Sequence, residues 1–241
     1  NIPTTLLAQV DASVGGKVGI DLNHLKNEVG VFNNPKAVFV SSAFLSSLDE
    51  RQLLSGFAEI IKHALIADNM YWQKVMKVNL EDFDMLDKLI ETSVKIKNKV
   101  VMLDPHEYSV RKTLNFGHTI GHAIETASLE ETDMDSFLHG EAIAIGMICE
   151  AYLSHKICGL SAEDLNEITD FILNNFKSLA IDHLDQHHLI ELMGHDKKNE
   201  KGQLNFSLLS AIGTCEINKP VTNSQIIEAL NYYTEQLEAK E

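Results

Sequence analysis

From Leu48 onward, apolar residues recur at intervals of three and four along most of the chain, with polar residues between them. This spacing places the apolar side chains on one face of a helix and predicts a series of amphipathic α-helices. Ser47 followed by Glu50 fits a capping box and sets the predicted start of the first helix. Further helices are predicted over about 70–80, 83–103, 112–129, 139–158, 161–175 and 186–194, with a last amphipathic helix in "SQIIEALNYYTEQLEAKE".

Three stretches depart from the helical period. Residues 1–35 are rich in Gly and Asn, which predicts turns and loops. The apolar run "KAVFV" at 36–40 lies between Pro35 and Ser41 and predicts a buried strand, although a lone strand needs a sheet to join. Near 203–217, "GQLNFSLLSAIGTCEI" alternates and predicts a hairpin.

The predicted fold class is therefore mainly α, with a loop-and-strand leader over 1–47 and a helical domain over 48–241. The chain has no initiator Met and opens within a pattern, and the sheet that the 36–40 strand needs is not in the sequence. We therefore expect that an N-terminal part of the protein is missing from this chain.

The net charge and the cysteine pattern indicate which classes of function are disfavoured. A formal net charge of −15 argues against non-specific binding to nucleic acids or anionic membranes, so an anionic substrate would need a local basic cluster. The three cysteines do not form a CxxC or disulfide pattern, which is typical of a reducing, cytoplasmic setting. No run of 18 apolar residues is present.

The stretch "LNFGHTIGHAIE" at 114–125 carries the first candidate chemistry. His118 and His122 are four apart and lie on one helix face, and each follows a glycine, which favours close packing. His139 begins a helix rich in small residues in "FLHGEAIAIGM". The alternative for His118 and His122 is two histidines on a helix surface. The alternative for His139 is an ordinary polar residue at a helix N-terminus.

Glu59 lies among apolar residues in "GFAEIIKHAL", three residues before Lys62. With two of the histidines it would make a Glu/His/His zinc set, which leaves a coordination position open as catalytic zinc sites do. Single lysines in an acidic chain are usually solvated. Arg111 is more specific, because it shares a helical stretch with Asn115 and His118 and can bind a carboxylate or phosphate in a bidentate fork.

Four segments together carry a resemblance: "PTTLLAQVDASVGGKVGID", "GFAEIIKHALI", "RKTLNFGHTIGHAIE" and "HGEAIAIGM". In this order they resemble the 3-dehydroquinate synthase family of sugar-phosphate cyclases, from about Thr4 to Gly213. The resemblance implies a full enzyme with an N-terminal NAD-binding half and a helical half that holds zinc and substrate. This chain then corresponds to the C-terminal half with the connecting loop.

Site residues follow from the resemblance, position by position. The implied zinc ligands are Glu59, His118 and His139, and the segment before His139 is a few residues longer than expected for the family. The implied catalytic residues are His122 for proton transfer, Glu107 as a proton acceptor, Lys62 and Arg111. Substrate contacts are implied at Asp11, Lys17, Lys26, Asn27, Lys62, Lys97, Arg111, Asn115 and Lys197, and cofactor contacts at Thr4, Thr5, Lys17, Lys26, Phe44, Leu45, Ser46 and Ser47.

The resemblance also implies a reaction. NAD and Zn²⁺, or Co²⁺, would support the conversion of 3-deoxy-arabino-heptulosonate 7-phosphate to 3-dehydroquinate and phosphate by transient oxidation, elimination, reduction and intramolecular aldol closure. This is the shikimate route to aromatic amino acids. We expect a homodimer, no activity from this chain alone, and no nucleic-acid or membrane partner.

The alternatives are a related cyclase, such as 2-deoxy-scyllo-inosose synthase or an enzyme that acts on sedoheptulose 7-phosphate, a metal-dependent polyol dehydrogenase of the same fold, and a non-catalytic metal-binding dimerisation fragment.

Overall fold

The computed structural model describes residues 1–22, 25–131, 136–177, 179–194 and 204–240, without the side chains of 20–22 and 25–29. Within these ranges the chain is mainly helical, as predicted. The helices are α1 Glu50–Ala67, α2 Asn69–Val75, α3 Phe83–Leu103, α4 His118–Glu130, α5 His139–Cys158, α6 Ala162–Asn175, α7 Gln186–Gly194 and α8 Asn223–Glu238. No helix in the described ranges has both the length and the apolar content that a bilayer crossing requires.

Two helix starts differ from their predictions. Asp49 rather than Ser47 caps α1, because its side chain accepts the Gln52 N–H, while Ser47 belongs to a short 3₁₀ helix over Ser42–Ser47. The helix predicted over 112–129 begins only at His118. A 3₁₀ turn occupies Val110–Asn115, and Gly117 has a φ of +78°, which interrupts a right-handed helix.

The leader differs more from its prediction. Residues expected to form loops instead make an antiparallel hairpin of β1 Lys17–Leu22 and β2 Leu25–Phe32, in which Val18 pairs with Val31. The strand predicted at 36–40 is wrong. In the described structure this segment has no sheet to join. Its described backbone hydrogen bonds are with Asn1. The Asn1 amino group donates to the Ala37 carbonyl oxygen at 2.9 Å, and the Phe39 N–H donates to the Asn1 carbonyl oxygen at 3.0 Å.

The hairpin predicted near 203–217 is confirmed as β3 Leu204–Ala211 paired with β4 Thr214–Val221, and its second strand runs past the predicted end. Gly213 makes the turn with a φ of +89°. Its backbone N–H donates to the Leu65 carbonyl at 2.7 Å, so the hairpin tip is attached to the end of α1.

Helix α5 is the centre of the core. It is buried along most of its length, and α1, α4, α6, α8 and β3 pack around it. A helix that is apolar on all sides is typical of such a central position. Close approach to its neighbours depends on two glycines, because a Cβ on Gly140 would lie 1.9 Å from the Ser55 carbonyl oxygen and one on Gly146 would lie 2.0 Å from that of Gly117. The packing brings the starts of α4 and α5 to the middle of α1.

Candidate active site

Three helices bring the predicted zinc ligands together. Glu59 lies in the middle of α1 and is fully buried, while His118 and His139 are the first residues of α4 and α5. Glu59 Oε1 lies 3.4 Å from His118 Nε2 and 3.6 Å from His139 Nε2. Two ligands about 2.0–2.1 Å from a tetrahedral zinc ion lie roughly 3.3 Å apart, so each of these two distances fits a pair of ligands on a shared ion.

The other nitrogen of each imidazole is also held. His118 Nδ1 lies 3.1 Å from the Phe116 carbonyl oxygen, and His139 Nδ1 lies 3.1 Å from Glu125 Oε2. Metal-bound histidines usually donate the second ring N–H to a carbonyl or carboxylate in this way, which fixes the ring orientation. Both Nε2 atoms therefore face Glu59.

The two imidazoles have opposite electrostatic surroundings. Burial and the nearby Lys62 ammonium lower the pKa of His118 to about 4. Burial also acts to lower the pKa of His139, but the carboxylates of Glu125 and Glu59 outweigh it and raise the pKa to about 9. In the metal-free protein, a proton on His139 then offsets part of the negative charge of the carboxylates.

His122 lies one turn along α4 from His118. Its ring centroid is 5.1 Å from that of His118 and 5.8 Å from that of His139, and one ring nitrogen of each of the three lies within 4.8 Å of the others. The three histidines thus form an alternative ligand set. The set with Glu59 has two short Glu59–histidine distances and a buried carboxylate, and in that set His122 would lie next to the ligands without being one of them.

Lys62 and Lys97 neutralise the carboxylates next to this centre. Lys62 is 1% exposed and forms an ion pair with Glu59. Burial raises the pKa of Glu59, but the charges of Lys62 and His118 hold it well below its ordinary value. Lys97 forms an ion pair with Asp11 and donates to the Asp11 carbonyl oxygen at 2.6 Å.

Asp11, Glu59 and His63 form a second group with potential ligand atoms within 4.8 Å of one another. A divalent ion there would compete with the Lys62 and Lys97 ammonium groups, which already pair with both carboxylates. Because the Lys62–Glu59 pair is common to both groups, the additional Lys97–Asp11 pair is what disfavours the second one, and we take the histidine side as the candidate metal centre. His63 is fully buried, its Nδ1 lies 2.5 Å from Ser93 Oγ, and burial lowers its pKa to about 3.

A loop before α4 holds three more of the predicted residues. Glu107 has a φ of +63°, a strained conformation for a residue with a side chain, and its carboxylate pairs with Lys17 and accepts the Asn115 amide N–H at 2.7 Å. The Arg111 guanidinium is buried and donates to the carbonyl oxygens of Pro105 and Gly15 at 2.7 and 3.1 Å. In this structure Arg111 thus joins the loop to the leader.

The predicted cofactor residues lie on the leader. Thr4 is exposed, and Thr5 Oγ1 accepts the Ala8 N–H at 3.2 Å. Phe44 is 43% exposed, whereas Leu45 is 2% exposed in the core and could offer a cofactor only its backbone. Ser46 and Ser47 lie in the 3₁₀ helix. The backbones of Lys26 and Asn27 belong to β2, but their side chains lie outside the described set, as does all of Lys197.

Comparison with known proteins decides the family. Residues 1–55 match the 3-dehydroquinate synthase N-terminal model, and residues 56–199 match the 3-dehydroquinate synthase C-terminal model. The chain belongs to the 3-dehydroquinate synthase family. The domain boundary that we predicted at 47/48 lies within the first of the two matched ranges.

Curated relatives in this family are similar over nearly the whole chain. The 3-dehydroquinate synthase of Parabacteroides distasonis is 48% identical over 237 residues, which cover 98% of this chain and 67% of the relative. That of Helicobacter pylori strain P12 is 41% identical over 230 residues, covering 95% and 65%. The chain thus spans about two thirds of the length of the relatives it matches.

Solved structures of two cyclases share the fold. ValA, a 2-epi-5-epi-valiolone synthase from Streptomyces hygroscopicus subsp. jinggangensis 5008 with NAD⁺ and Zn²⁺ bound, superposes with a TM-score of 0.82 at 25% identity, over 98% of this chain and 66% of that one. A 2-deoxy-scyllo-inosose synthase complexed with carbaglucose-6-phosphate, NAD⁺ and Co²⁺ gives 0.79 at 28% identity, over 96% and 66%.

Three buried carboxylates that support the site were missing from the sequence-based set. Glu125 contacts His139, Asp104 accepts three backbone N–H groups in the Glu107 loop, and Glu150 accepts three at the start of α4. A sequence signal existed for Glu150, because it is a single acid in the apolar run "AIAIGMICEAYL". Asp104 gives no such signal, since it stands at a helix end where acidic residues are common.

Proposed function

We propose that this chain is the metal- and substrate-binding part of a 3-dehydroquinate synthase, a carbon–oxygen lyase of the shikimate pathway. The substrate would be 3-deoxy-arabino-heptulosonate 7-phosphate, and the products 3-dehydroquinate and phosphate. The observation that carries the proposal is the fully buried Glu59 oxygen, which lies 3.4 and 3.6 Å from two inward-facing imidazole nitrogens in a chain of this family.

Glu59, His118 and His139 would hold Zn²⁺, or Co²⁺ in its place. The bound ion would supply Lewis-acid polarisation of substrate hydroxyls, and NAD would supply reversible hydride transfer. Both are supported by the structural relatives, one of which has NAD⁺ and Zn²⁺ bound and the other NAD⁺ and Co²⁺. Lys62 keeps Glu59 ionised, which a metal ligand requires.

The remaining residues would bind the substrate and move its protons. His122, partly buried beside the two ligand histidines, is the candidate for proton transfer near the reacting hydroxyl. Glu107 accepts the Asn115 amide N–H and pairs with Lys17, and we propose it as the proton acceptor. Lys17, Lys97 and Arg111 would supply the positive charge that an anionic substrate needs in a chain of charge −15, in exchange for their present contacts with Glu107, Asp11 and two backbone carbonyls.

The whole enzyme would also need the part of the longer relatives that this chain does not cover, which the family resemblance implies binds NAD. We propose that the 241-residue chain alone turns over no substrate, and that the complete enzyme is a cytoplasmic homodimer. The test measures phosphate release with NAD⁺ and Zn²⁺ from this chain and from a fusion to the N-terminal third of the Parabacteroides distasonis relative. We expect turnover only from the fusion, and none from its Glu59→Ala variant.

A related cyclase is the second candidate, because both structural relatives described above are cyclases of other specificity. Sequence identity favours 3-dehydroquinate synthase, at 48% against 25% and 28%. The active fusion should be assayed on 3-deoxy-arabino-heptulosonate 7-phosphate, sedoheptulose 7-phosphate and glucose 6-phosphate. Preference for either of the last two would replace the proposed substrate. A fusion that is folded and binds zinc but converts none of them would favour a non-catalytic metal-binding role.

A further inference from the structure

Glu150 is a fully buried carboxylate in the apolar middle of α5. Oε2 accepts the Gly117 N–H at 2.7 Å, and Oε1 accepts the N–H groups of Thr119 and Ile120 at 3.1 and 3.2 Å. A buried carboxylate is very costly unless its oxygens are satisfied. Here both oxygens receive backbone donors from one place, the N-terminus of α4.

Helix α4 needs this contribution because it has no cap of its own. Its N-cap residue is Gly117, which has no side chain to accept a hydrogen bond. The first N–H groups of a helix lack intrahelical partners and carry partial positive charge. Glu150 supplies from a neighbouring helix both the acceptors and the negative charge that a Ser or Asp cap would supply locally.

The three donors surround the first residue of α4, which is His118. The Phe116 carbonyl oxygen belongs to the same turn and lies 3.1 Å from His118 Nδ1. Gly146, one turn before Glu150, lies so close to the Gly117 carbonyl that a Cβ there would be 2.0 Å from its oxygen. Helix α5 therefore fixes the backbone on both sides of His118, and the same helix carries His139 as its first residue.

We propose that Glu150 is a positioning residue that holds His118 in its metal-binding orientation before any metal arrives. This inference rests on the proposed metal site of Glu59, His118 and His139. Glu150 would contact neither metal nor substrate. Its role would be to set the distance between His118 and His139. A site arranged in advance binds its ion without the cost of ordering the helix start.

The first experiment measures Zn²⁺ affinity of the 241-residue chain by competition with a chromophoric chelator. Loss of a group that orients a metal ligand typically lowers affinity about 10–100-fold, and we expect a loss in this range for Glu150→Gln. The Gln side chain has the same size but offers one acceptor oxygen and no charge. The absorption spectrum of bound Co²⁺ should change as well, because the ligand geometry would relax.

Asp104→Asn is the matched control. Asp104 is also buried and also accepts three backbone N–H groups, but they belong to a loop that carries no proposed zinc ligand. We expect Asp104→Asn to lower stability and to leave Zn²⁺ affinity and the Co²⁺ spectrum unchanged. Equal Zn²⁺ affinity of the wild type and a folded Glu150→Gln would overturn the proposal, as would equal losses in both variants.

A second measurement needs no variant to fold. In the metal-free wild type, the amides of Gly117, Thr119 and Ile120 should exchange slowly with solvent deuterium, and zinc should add little protection. Rapid exchange that becomes slow only with zinc would overturn the proposal. Failure of the wild type to bind zinc, or unchanged affinity in His118→Ala, would instead refute the proposed metal site itself, and this role with it.

Discussion

The proposed metal side, where α1, α4 and α5 meet, and the leader side, formed by residues 1–47 and the loop before α4, are built in different ways. On the metal side, α1, α4 and α5 meet through glycines, buried apolar side chains and the buried Glu150 carboxylate, which accepts backbone N–H groups. On the leader side, the described links to the loop before α4 include the polar contacts of Arg111 with Gly15 and of Lys17 with Glu107, and an edge contact between the Phe32 and His106 rings. Large apolar side chains there remain exposed, among them Val31 at 63%, Phe32 at 60% and Phe39 at 67%.

This difference indicates how the two sides would contribute. A close-packed interior has few alternative arrangements, so the chain itself would hold the three proposed metal ligands in one geometry. Polar links at a partly exposed surface are individually weak and can exchange for a ligand or another part of the protein. The variants below test whether the two sides respond separately.

Glu59→Gln should have the largest effect. It leaves the Lys62 ammonium, 1% exposed, without its carboxylate partner. Removing one member of a buried ion pair costs about 3–5 kcal/mol, and we expect this loss in the free energy of unfolding of the metal-free chain by urea denaturation. Zinc binding should also be lost.

The double variant Glu59→Gln/Lys62→Met is the control for this reading. It removes the stranded charge, so it should recover most of the lost stability but none of the zinc affinity. A double variant that is less stable than Glu59→Gln would show that Lys62 contributes through other contacts.

Gly146→Ala should come next, with a loss of about 3 kcal/mol, near the upper end of the usual cost of overpacking. The added Cβ would lie 2.0 Å from the Gly117 oxygen and 2.8 Å from the Gly121 nitrogen, and both are backbone atoms that cannot rotate away. Because the displaced segment carries His118, zinc affinity should fall too. Gly194→Ala is the control, since a Cβ there meets no atom within 4 Å, and its stability should match the wild type.

The sequence predicts the helical framework well because the 3.6-residue period depends only on local patterning. It also predicts that Glu59, His118 and His139 converge, although only through the resemblance, since spacing shows that His118 and His122 share a face but not which acid faces them. The glycine pairs are visible in the motifs "FGHTIGH" and "HGEAIAIGM". The structure shows which neighbouring atoms lie so close to each glycine that a Cβ there would clash with them.

The features that the sequence did not predict have a common physical cause. The hairpin at 17–32 and the irregular segment at 36–40 depend on which partner strand is available, and local sequence does not report that. The proposed role of Glu150 depends on its contacts with the start of α4. The partner farthest away in sequence, Gly117, is 33 positions from it. The direction of the Arg111 guanidinium toward Pro105 and Gly15 is likewise a tertiary contact, with one partner 96 residues away.

The Arg111→Lys variant tests most directly whether the metal side and the leader side are independent of each other. A lysine can replace one hydrogen bond of the guanidinium but not both, and a hydrogen bond to a charged group contributes about 1.5 kcal/mol or more. We expect faster deuterium exchange of the backbone amides around Gly15, and no change in Zn²⁺ affinity. If zinc affinity falls together with leader protection, the metal side is not independent of the leader.

The smallest expected effect is a pH dependence in the loop that carries Glu107. Burial alone would raise the pKa of Asp104, but the backbone N–H groups of Ser109, Arg111 and Tyr108 outweigh it and lower the pKa from 3.8 to about 2. A carboxyl group whose pKa is lower in the folded state stabilises the fold above its unfolded value, and this contribution is lost as the pH falls through about 2. The midpoint of thermal unfolding should therefore differ between the wild type and Asp104→Asn near pH 5, and the difference should shrink steadily below about pH 4. A difference that stays constant down to pH 2 would mean that the loop is held by contacts other than the ionised carboxylate.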